Sequence, residues 1–456
     1  MKDHKLFADM DVADDGRGGT SGRESRSEPP RLRRADRSQV LMLTCELDAL
    51  LPSDHQARMI AAALDRLDLS LFYDSIQARG STPGRAATDP KLLLGLWLYA
   101  TIDGVGCGRS IERLCDCHDA YRWLRGGVTL NYHTLNDFRV EHEAALDALF
   151  TSLLTTLVNQ GVISVECVSQ DGTRVRASAG SSSFRSGRRL RELHDMMAQH
   201  VQEVKRQMDP AVSAQQQRAR ERAAVEKLQR LEQALEELPK VEAARARWTR
   251  GKQRKKAARV STTDPEARVM KIGNQGYAPA YNVQIATDTK SRAIVGIDVT
   301  NEGSDVHQSA PMRRQIERRM VAAEATLGRA VPRMKEQLLD GGYADAREVR
   351  TAEREEVTMY VPPRKRTVKE GDDPTTGVRA SDPDDIKRWR ARMSTPKALE
   401  FKTLRGSTVE TINADLKTHR AMNKFVVRGL HKVRCVALLN ALTYNLLHFG
   451  HMINTT

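Results

Sequence analysis

The sequence predicts an α/β fold: a mixed sheet flanked by helices, preceded by a helical domain and interrupted by a helical hairpin after its first strand. Three observations predict it. From about residue 161 onward, extended and helical runs follow the order strand, hairpin, helix, strand, helix, strand, helix. Two of the extended runs lead into single acids, Asp171 and Asp340, each followed at once by Gly. After the first strand, two long runs place apolar residues at three- and four-residue steps.

At 456 residues the chain is long enough for a sizeable core and two or more domains. Lys and Arg outnumber Asp and Glu by 73 to 59, a formal charge of +14. That excess points to an anionic partner, most often nucleic acid. Six cysteines in such a length make no disulfide framework. Cys107, Cys115 and Cys117 cluster beside His118 but lack the paired knuckles of a structural zinc site, so buried, reduced thiols are expected. No apolar run reaches the roughly 18 residues that span a bilayer. The N-terminus lacks a signal-peptide core. A cytoplasmic, nucleoid-associated protein without a membrane partner is expected.

Residues 1–38 are rich in Gly, Ser, Arg and Asp and read as a disordered tail. The segment 39–160 reads as a helical domain. Residues 40–43 suggest a short extended piece. A helix then begins after Ser53-Asp54-His55, with Ile60, Ala63, Leu64, Leu67 and Leu71 on one face. Asp89 and Pro90 open the next helix as N-cap and first turn. Another starts near Ser110, a Thr-capped segment runs from His133 to Arg139, and a last helix covers about 141–160. Such a set suits a compact DNA-binding domain, with Arg139 as one contact, and equally a plain helical packing domain.

The first strand of the sheet occupies 161–183, its apolar run extending from Val162 to Val168. The insert, 184–260, holds the two apolar runs. Asp209-Pro210 breaks the first, and Pro239 follows the second. The pattern is an antiparallel hairpin or short coiled coil. It carries twenty Lys and Arg against ten Asp and Glu, densest at Arg254, Lys255 and Lys256. This concentration favours phosphate contact.

Residues 261–456 complete the sheet domain. Tyr281, Val283 and Ile285 alternate with polar or small neighbours, and a turn leads to Ile294–Val299, making a hairpin. A helix over about 309–324 follows, then the strand ending at Asp340, a helix over 345–356 and a strand over 357–361. Residues 364–399 read as a charged loop or small irregular insert. The end, from Thr408 to about Met452, is helical with a break near 423–429.

Two Asp at strand ends with a third acid on a helix is the minimum set for a two-Mg²⁺ phosphodiester site. Glu410 is the best third acid, with Arg405 before it and Lys417 seven residues on along the same face. Asp288, Asp298, Glu302 and Asp305 rank lower, because they lie in turns, loops or among apolar neighbours.

Together these segments resemble bacterial insertion-sequence transposases with an RNase H-like DDE domain, in the branch numbered four and its eleven-eighty-two relatives. The matching segments are Asp89-Pro90-Lys91-Leu92-Leu93-Leu94, Thr134-Leu135-Asn136-Asp137-Phe138-Arg139, Asp171-Gly172-Thr173, Thr263-Asp264-Pro265-Glu266-Ala267-Arg268, Tyr281-Asn282-Val283-Gln284, Asp340-Gly341-Gly342-Tyr343 and Val409-Glu410. The resemblance implies Asp171, Asp340 and Glu410 as the acidic triad, holding two Mg²⁺ (or Mn²⁺) ions. It implies a Tyr-Arg-Glu-Lys signature with two, three and six residues between its members. Glu410 and Lys417 have the six-residue gap. Arg405 stands four residues from Glu410 rather than three, and Lys402, beside Phe401, takes the Tyr position. The implied activity is cleavage at terminal inverted repeats followed by strand transfer into target DNA. The implied assembly is a homodimer or larger synaptic complex, with the insert's apolar seams available for pairing.

Overall fold

The computed structural model describes residues 46–79, 86–206, 213–248, 257–273, 276–367, 373 and 375–453. The tail, the extended piece 40–43, the breaker Asp209-Pro210 and the basic trio Arg254, Lys255 and Lys256 lie outside the described residues. In chain order the elements are α1 (Gln56–Arg66), α2 (Ser70–Asp74), α3 (Pro90–Ile102), α4 (Gly108–Cys117), α5 (Asp119–Arg125), α6 (Tyr132–Glu141), α7 (Glu143–Asn159), β1 (Cys167–Arg176), β2 (Phe184–Ser186), α8 (Gly187–Arg206) and α9 (Ala214–Trp248). Then come β3 (Arg259–Ser261), β4 (Arg268–Lys271), β5 (Tyr277–Asp288), β6 (Ile294–Thr300), α10 (Ser309–Leu327), β7 (Glu336–Leu338), α11 (Ala346–Arg354), β8 (Thr358–Tyr360), α12 (Asp384–Arg392), α13 (Pro396–Arg405), α14 (Thr411–His419) and α15 (Leu430–Ile453).

The N-terminal helices follow their capping chemistry. The Asp89 carboxylate accepts from Lys91 N at 2.9 Å and Pro90 occupies the first turn of α3, as expected. Two readings change. The run through Leu71 is two helices, because Asp68 accepts from Ser70 N and starts α2, leaving Leu71 exposed. The cap of α6 is Asn131, whose side chain accepts from Thr134 N at 2.9 Å, so Thr134 is the donor rather than the cap.

The sheet runs β4-β5-β1-β7-β8, and β6 pairs with β5. β1 lies antiparallel to β5 on one side and parallel to β7 on the other, and β7 is parallel to β8. The expected hairpin is β5–β6, in antiparallel register. β1 starts at Cys167, not Val162, so Asp171 lies in the middle of the strand instead of at its end. The cause is a bend at Val165, held at φ 49° by Asp288, whose carboxylate accepts from Val165 N at 3.1 Å.

The insert forms the expected helical pair. Leu190 of α8 buries against Leu231, Ala234 and Leu238 of α9, with Val260 of β3 beneath them. The apolar seams are thus used within the chain rather than left for a second copy. β2 and β3 pair antiparallel at the base of the pair. α9 does not stop at Pro239 but continues to Trp248. Proline removes one N–H, and the turn beyond it still packs: Val241 joins the hairpin core, and Arg245 donates to Ala257 O at 3.0 Å. The stretch read as irregular, 364–399, contains α12 and the start of α13. Trp389 anchors it, donating from Nε1 to Val361 O at 2.9 Å within a cluster that includes Ile386, Val357 and Met359.

α15 is apolar on most sides and packs against α1, α3, α6, α7 and β6. Asn445 on it satisfies both backbone groups of Ile294, accepting from its N at 2.9 Å and donating to its O at 2.8 Å. That bond joins the helical layer to the β6 edge of the sheet. One core cluster therefore runs from the N-terminal helices through α15 into the sheet. α10 is fixed to α7 by Arg319, which is 1 % exposed, lies over the Phe150 ring and pairs with Asp147 at 2.7 Å. Among the described residues, no helix is long and apolar enough to cross a membrane. Asp147→Ala leaves the Arg319 charge buried without its partner and should lower unfolding free energy by about 3 kcal/mol. Denaturant titration checks this, and a loss below about 1 kcal/mol would show that water or another group takes the carboxylate's place.

Candidate active site

β1 and β7 run parallel with Ser169 opposite Leu338. Two residues further along each strand lie Asp171 and Asp340. The β7 backbone stays extended through this step: Leu339 N donates to Tyr360 O at 3.0 Å, and Asp340 has φ −84° and ψ 173°. Side chains alternate along a strand, so both acids share a face on adjacent strands, about 5 Å apart at the backbone. Asp171 is partly buried, and its carboxyl is pushed up to about 6, first by burial and then by the nearby Asp340 carboxylate. Its oxygens accept from Gly172 N at 2.9 Å and from Asn413 Nδ2 at 3.1 Å. Asp340 accepts from Gly342 N at 2.8 Å.

Glu410 lies on a helical arm formed by α13 and α14. α13 and α14 are joined by a π-helical turn, Gly406–Glu410, which packs against β1 and β5. A π turn takes one more residue than an α turn. The four-residue gap between Arg405 and Glu410 is absorbed there, and the Arg405 guanidinium donates to Glu410 Oε1 at 2.7 Å. Arg405 also acts on Asp171, lowering its carboxyl against the two larger effects. Asn413 lies three residues beyond Glu410, and Lys417 four beyond Asn413, so all three share one face of the arm. Burial pushes the Lys417 ammonium down while Asp171 pulls it up. A cavity of about 130 Å³ beside Asp340 is lined by Phe401, Lys402 and Arg405.

Residues 249–446 match the family model described as a transposase DDE domain, and residues 45–141 match one described as a transposase domain. Both matches are to transposase domains, and the longer covers less than half of the 456 residues. No curated protein and no solved structure matches it. Asp171 precedes the stretch matched to the DDE domain, and β1 joins it to that stretch by pairing with β5 and β7.

Asp305 is a further acid close enough to Asp171 to push its carboxyl up. It lies in a loop by sequence, yet it is 7 % exposed and adjoins the acids. Its carboxylate accepts from Asn282 at 2.8 Å, Gln284 at 2.9 Å and Arg174 at 2.7 Å. Behind it runs a buried amide chain, Gln284 to Gln170 to Gln337 to Arg313, each contact 2.8–3.0 Å. Tyr343, following Asp340 by three, donates to Gln284 Oε1 at 2.5 Å. The signal available in the sequence was the run of amides at Gln170, Asn282, Gln284 and Gln337 inside otherwise apolar strands. Buried amides need partners, and a carboxylate accepts from several. Gly172 is the matching gap: a Cβ there would stand 2.1 Å from Asp305 Oδ1 and 2.4 Å from Gln284 Nε2.

Other sites predicted from the sequence sort differently. Arg139 is 5 % exposed, donates to Gly106 O at 2.8 Å and lies over the Trp97 ring, so it holds the helical layer together and does not face DNA. Asp288 holds the bend before β1, and Asp298 pairs with Arg434 at 3.1 Å. Of the cysteine cluster only Cys115 is buried, and Cys107 and Cys117 are exposed.

The donor set fits hard divalent cations. Asp171, Asp340 and Glu410 offer carboxylate oxygens, and Mg²⁺ and Mn²⁺ prefer oxygen. Asp171 is held in an unfavourable ionised state by burial and by Asp340, a cost that a cation between the carboxylates removes. Two predictions follow from this geometry. In metal-free protein the raised Asp171 carboxyl contributes stability below about pH 4 that is lost as pH rises through about 6, up to about 3 kcal/mol. Denaturant midpoints at pH 4 and pH 7 should show this loss, Mg²⁺ should restore it at pH 7, and Asp171→Asn should abolish both effects. Gly172→Ala should displace Asp305 and cost at least about 2 kcal/mol by the same measurement. A neutral result would mean that the Asp305 loop moves freely.

Proposed function

We propose that this chain is an insertion-sequence transposase that binds the terminal inverted repeats of its element and catalyses DNA cleavage and strand transfer. What supports the proposal is that Asp171 and Asp340 follow paired positions of adjacent parallel strands, and that the turn carrying Glu410 packs against β1, in a chain of which residues 249–446 match a transposase DDE domain. The signature on the arm favours the branch numbered four and its eleven-eighty-two relatives. Asp171, Asp340 and Glu410 are the residues that hold two Mg²⁺ or Mn²⁺ ions. When bound, the ions supply Lewis acidity at phosphoryl oxygens.

The chain's own groups do the rest. Arg405 holds Glu410 in place and balances the acidic cluster. Asn413 orients Asp171 through its amide. Lys417 and the exposed Lys402 offer cations to substrate phosphates beside the acids. Asp305 is a positioning residue that fixes Arg174 and the strand amides behind the acids. The partners are double-stranded DNA at the element ends and at the target. Bringing two ends together calls for a homodimer in a synaptic complex, acting on nucleoid DNA in the cytoplasm. The basic stretch through Arg254, Lys255 and Lys256 adds phosphate contacts to the insert.

The decisive assay supplies pre-cut element ends and target DNA with Mg²⁺. Joined products are expected. Cutting of uncut ends without any joining would reduce the protein to a nuclease, and DNA binding without either reaction would make it an inactive binder. Asp171→Ala should abolish both reactions while end binding in EDTA stays within about twofold. Asp305→Asn should lower the rate by roughly 10- to 100-fold, the range for groups that orient metal ligands. Its activity should recover in part at high Mg²⁺, which a merely destabilised protein would not show.

A further inference from the structure

The first turn of α7 and the first turns of α15 meet at a second cluster of metal-binding side chains. Glu143 is the first residue of α7, and His431 and Cys435 stand one turn apart on α15. A carboxylate oxygen, an imidazole nitrogen and the Cys435 sulfur all lie within 4.8 Å of one another. His431 Nδ1 and Glu143 Oε2 are hydrogen-bonded. Cys435 is fully buried, whereas the His431 side chain is 57 % exposed. We propose that Glu143, His431 and Cys435 form a Zn²⁺ site that ties α7 to α15.

The donor chemistry selects the ion. A thiolate, an imidazole and a carboxylate suit Zn²⁺, whereas Mg²⁺ prefers an all-oxygen set and gains little from the sulfur and nitrogen. His and Cys at i and i+4 share one helix face, so α15 presents two ligands without distortion. Tetrahedral Zn²⁺ with bonds of about 2.0–2.3 Å separates its ligands by about 3.5 Å. Separations of up to 4.8 Å need to close by at most about 1.3 Å, while the hydrogen-bonded His431–Glu143 pair opens, and the exposed His431 ring can supply that movement by rotation. The ion binds a lone pair of the neutral His431 imidazole, whose one N–H proton resides on the other ring nitrogen, and displaces the Cys435 thiol proton, which leaves to solvent. Two anionic ligands then balance the +2 charge, so the half-buried site is neutral. A cavity of about 600 Å³, lined by Glu141, Asp298 and Arg434 among others, opens beside His431 and leaves room for a water as fourth ligand. The site is independent of the acidic cluster, because its donors come from α7 and α15 rather than from β1, β7 and the arm.

The test uses full-length protein stripped with chelator, then titrated with Co²⁺ in saturating Mg²⁺. One equivalent should bind with a thiolate-to-metal charge-transfer absorption, Zn²⁺ should displace it, and melting temperature should rise by about 2 °C or more. Cys435→Ser should lose the absorption. His431→Ala, at an exposed position that folding tolerates, should weaken binding at least about tenfold. The double variant Cys107→Ser with Cys117→Ser should keep the absorption. No absorption in the parent protein, its survival in Cys435→Ser, or its loss only in the double variant would overturn the proposal.

Discussion

The acidic cluster depends on one strand pairing. β1 and β7 meet in parallel with Ser169 opposite Leu338, and everything two residues downstream follows from that register. A slip of one residue would turn Asp340 to the opposite face of the sheet and leave Asp171 alone. The pairing is secured from both sides. β5 holds β1 along nine consecutive residue pairs, and β8 holds β7 in parallel. Two carboxylates brought so close oppose each other, so the register must be strong enough to sustain the repulsion until cations arrive.

Much of that strength is polar. The chain of amides from Gln284 to Gln337 runs across the strands and ends on Arg313 of α10. Each amide is satisfied only when β5, β1 and β7 stand in their observed alignment, so a shifted register would strand several buried polar groups at once. Asp305 closes this network at the acidic end, and Gly172 leaves the space it occupies. The helical layer adds a second fixation through α15, where Asn445 binds the backbone of Ile294.

The periodicity of the chain made the elements legible, and the two Asp-Gly steps marked the acids. Strand, hairpin, helix, strand, helix, strand followed from apolar alternation and from caps such as Asp89. What stayed hidden depended on distant partners. The bend at Val165 comes from Asp288, more than a hundred residues away, so β1 begins later than its apolar run suggests. α12 is highly charged and owes its place to Ile386 and Trp389, whose pocket exists only once β8 is laid down. Arg139 looked like a phosphate contact because local sequence cannot show that Trp97 covers it. Asp305 was obscured by its loop, since carboxylates in loops are usually solvated and only the amides opposite it revealed otherwise.

The π-helical turn at Gly406–Glu410 changes what a spacing rule means. Counted in residues, the distance from Arg405 to Glu410 is one too many. Measured through space, the two side chains still touch at 2.7 Å. The extra residue is stored as a local overcoil, and α13 and α14 on either side keep ordinary helical geometry. A lineage can therefore gain a residue at this point without losing the contact. Motifs on this arm are better defined by which side chains face the sheet than by the number of letters between them.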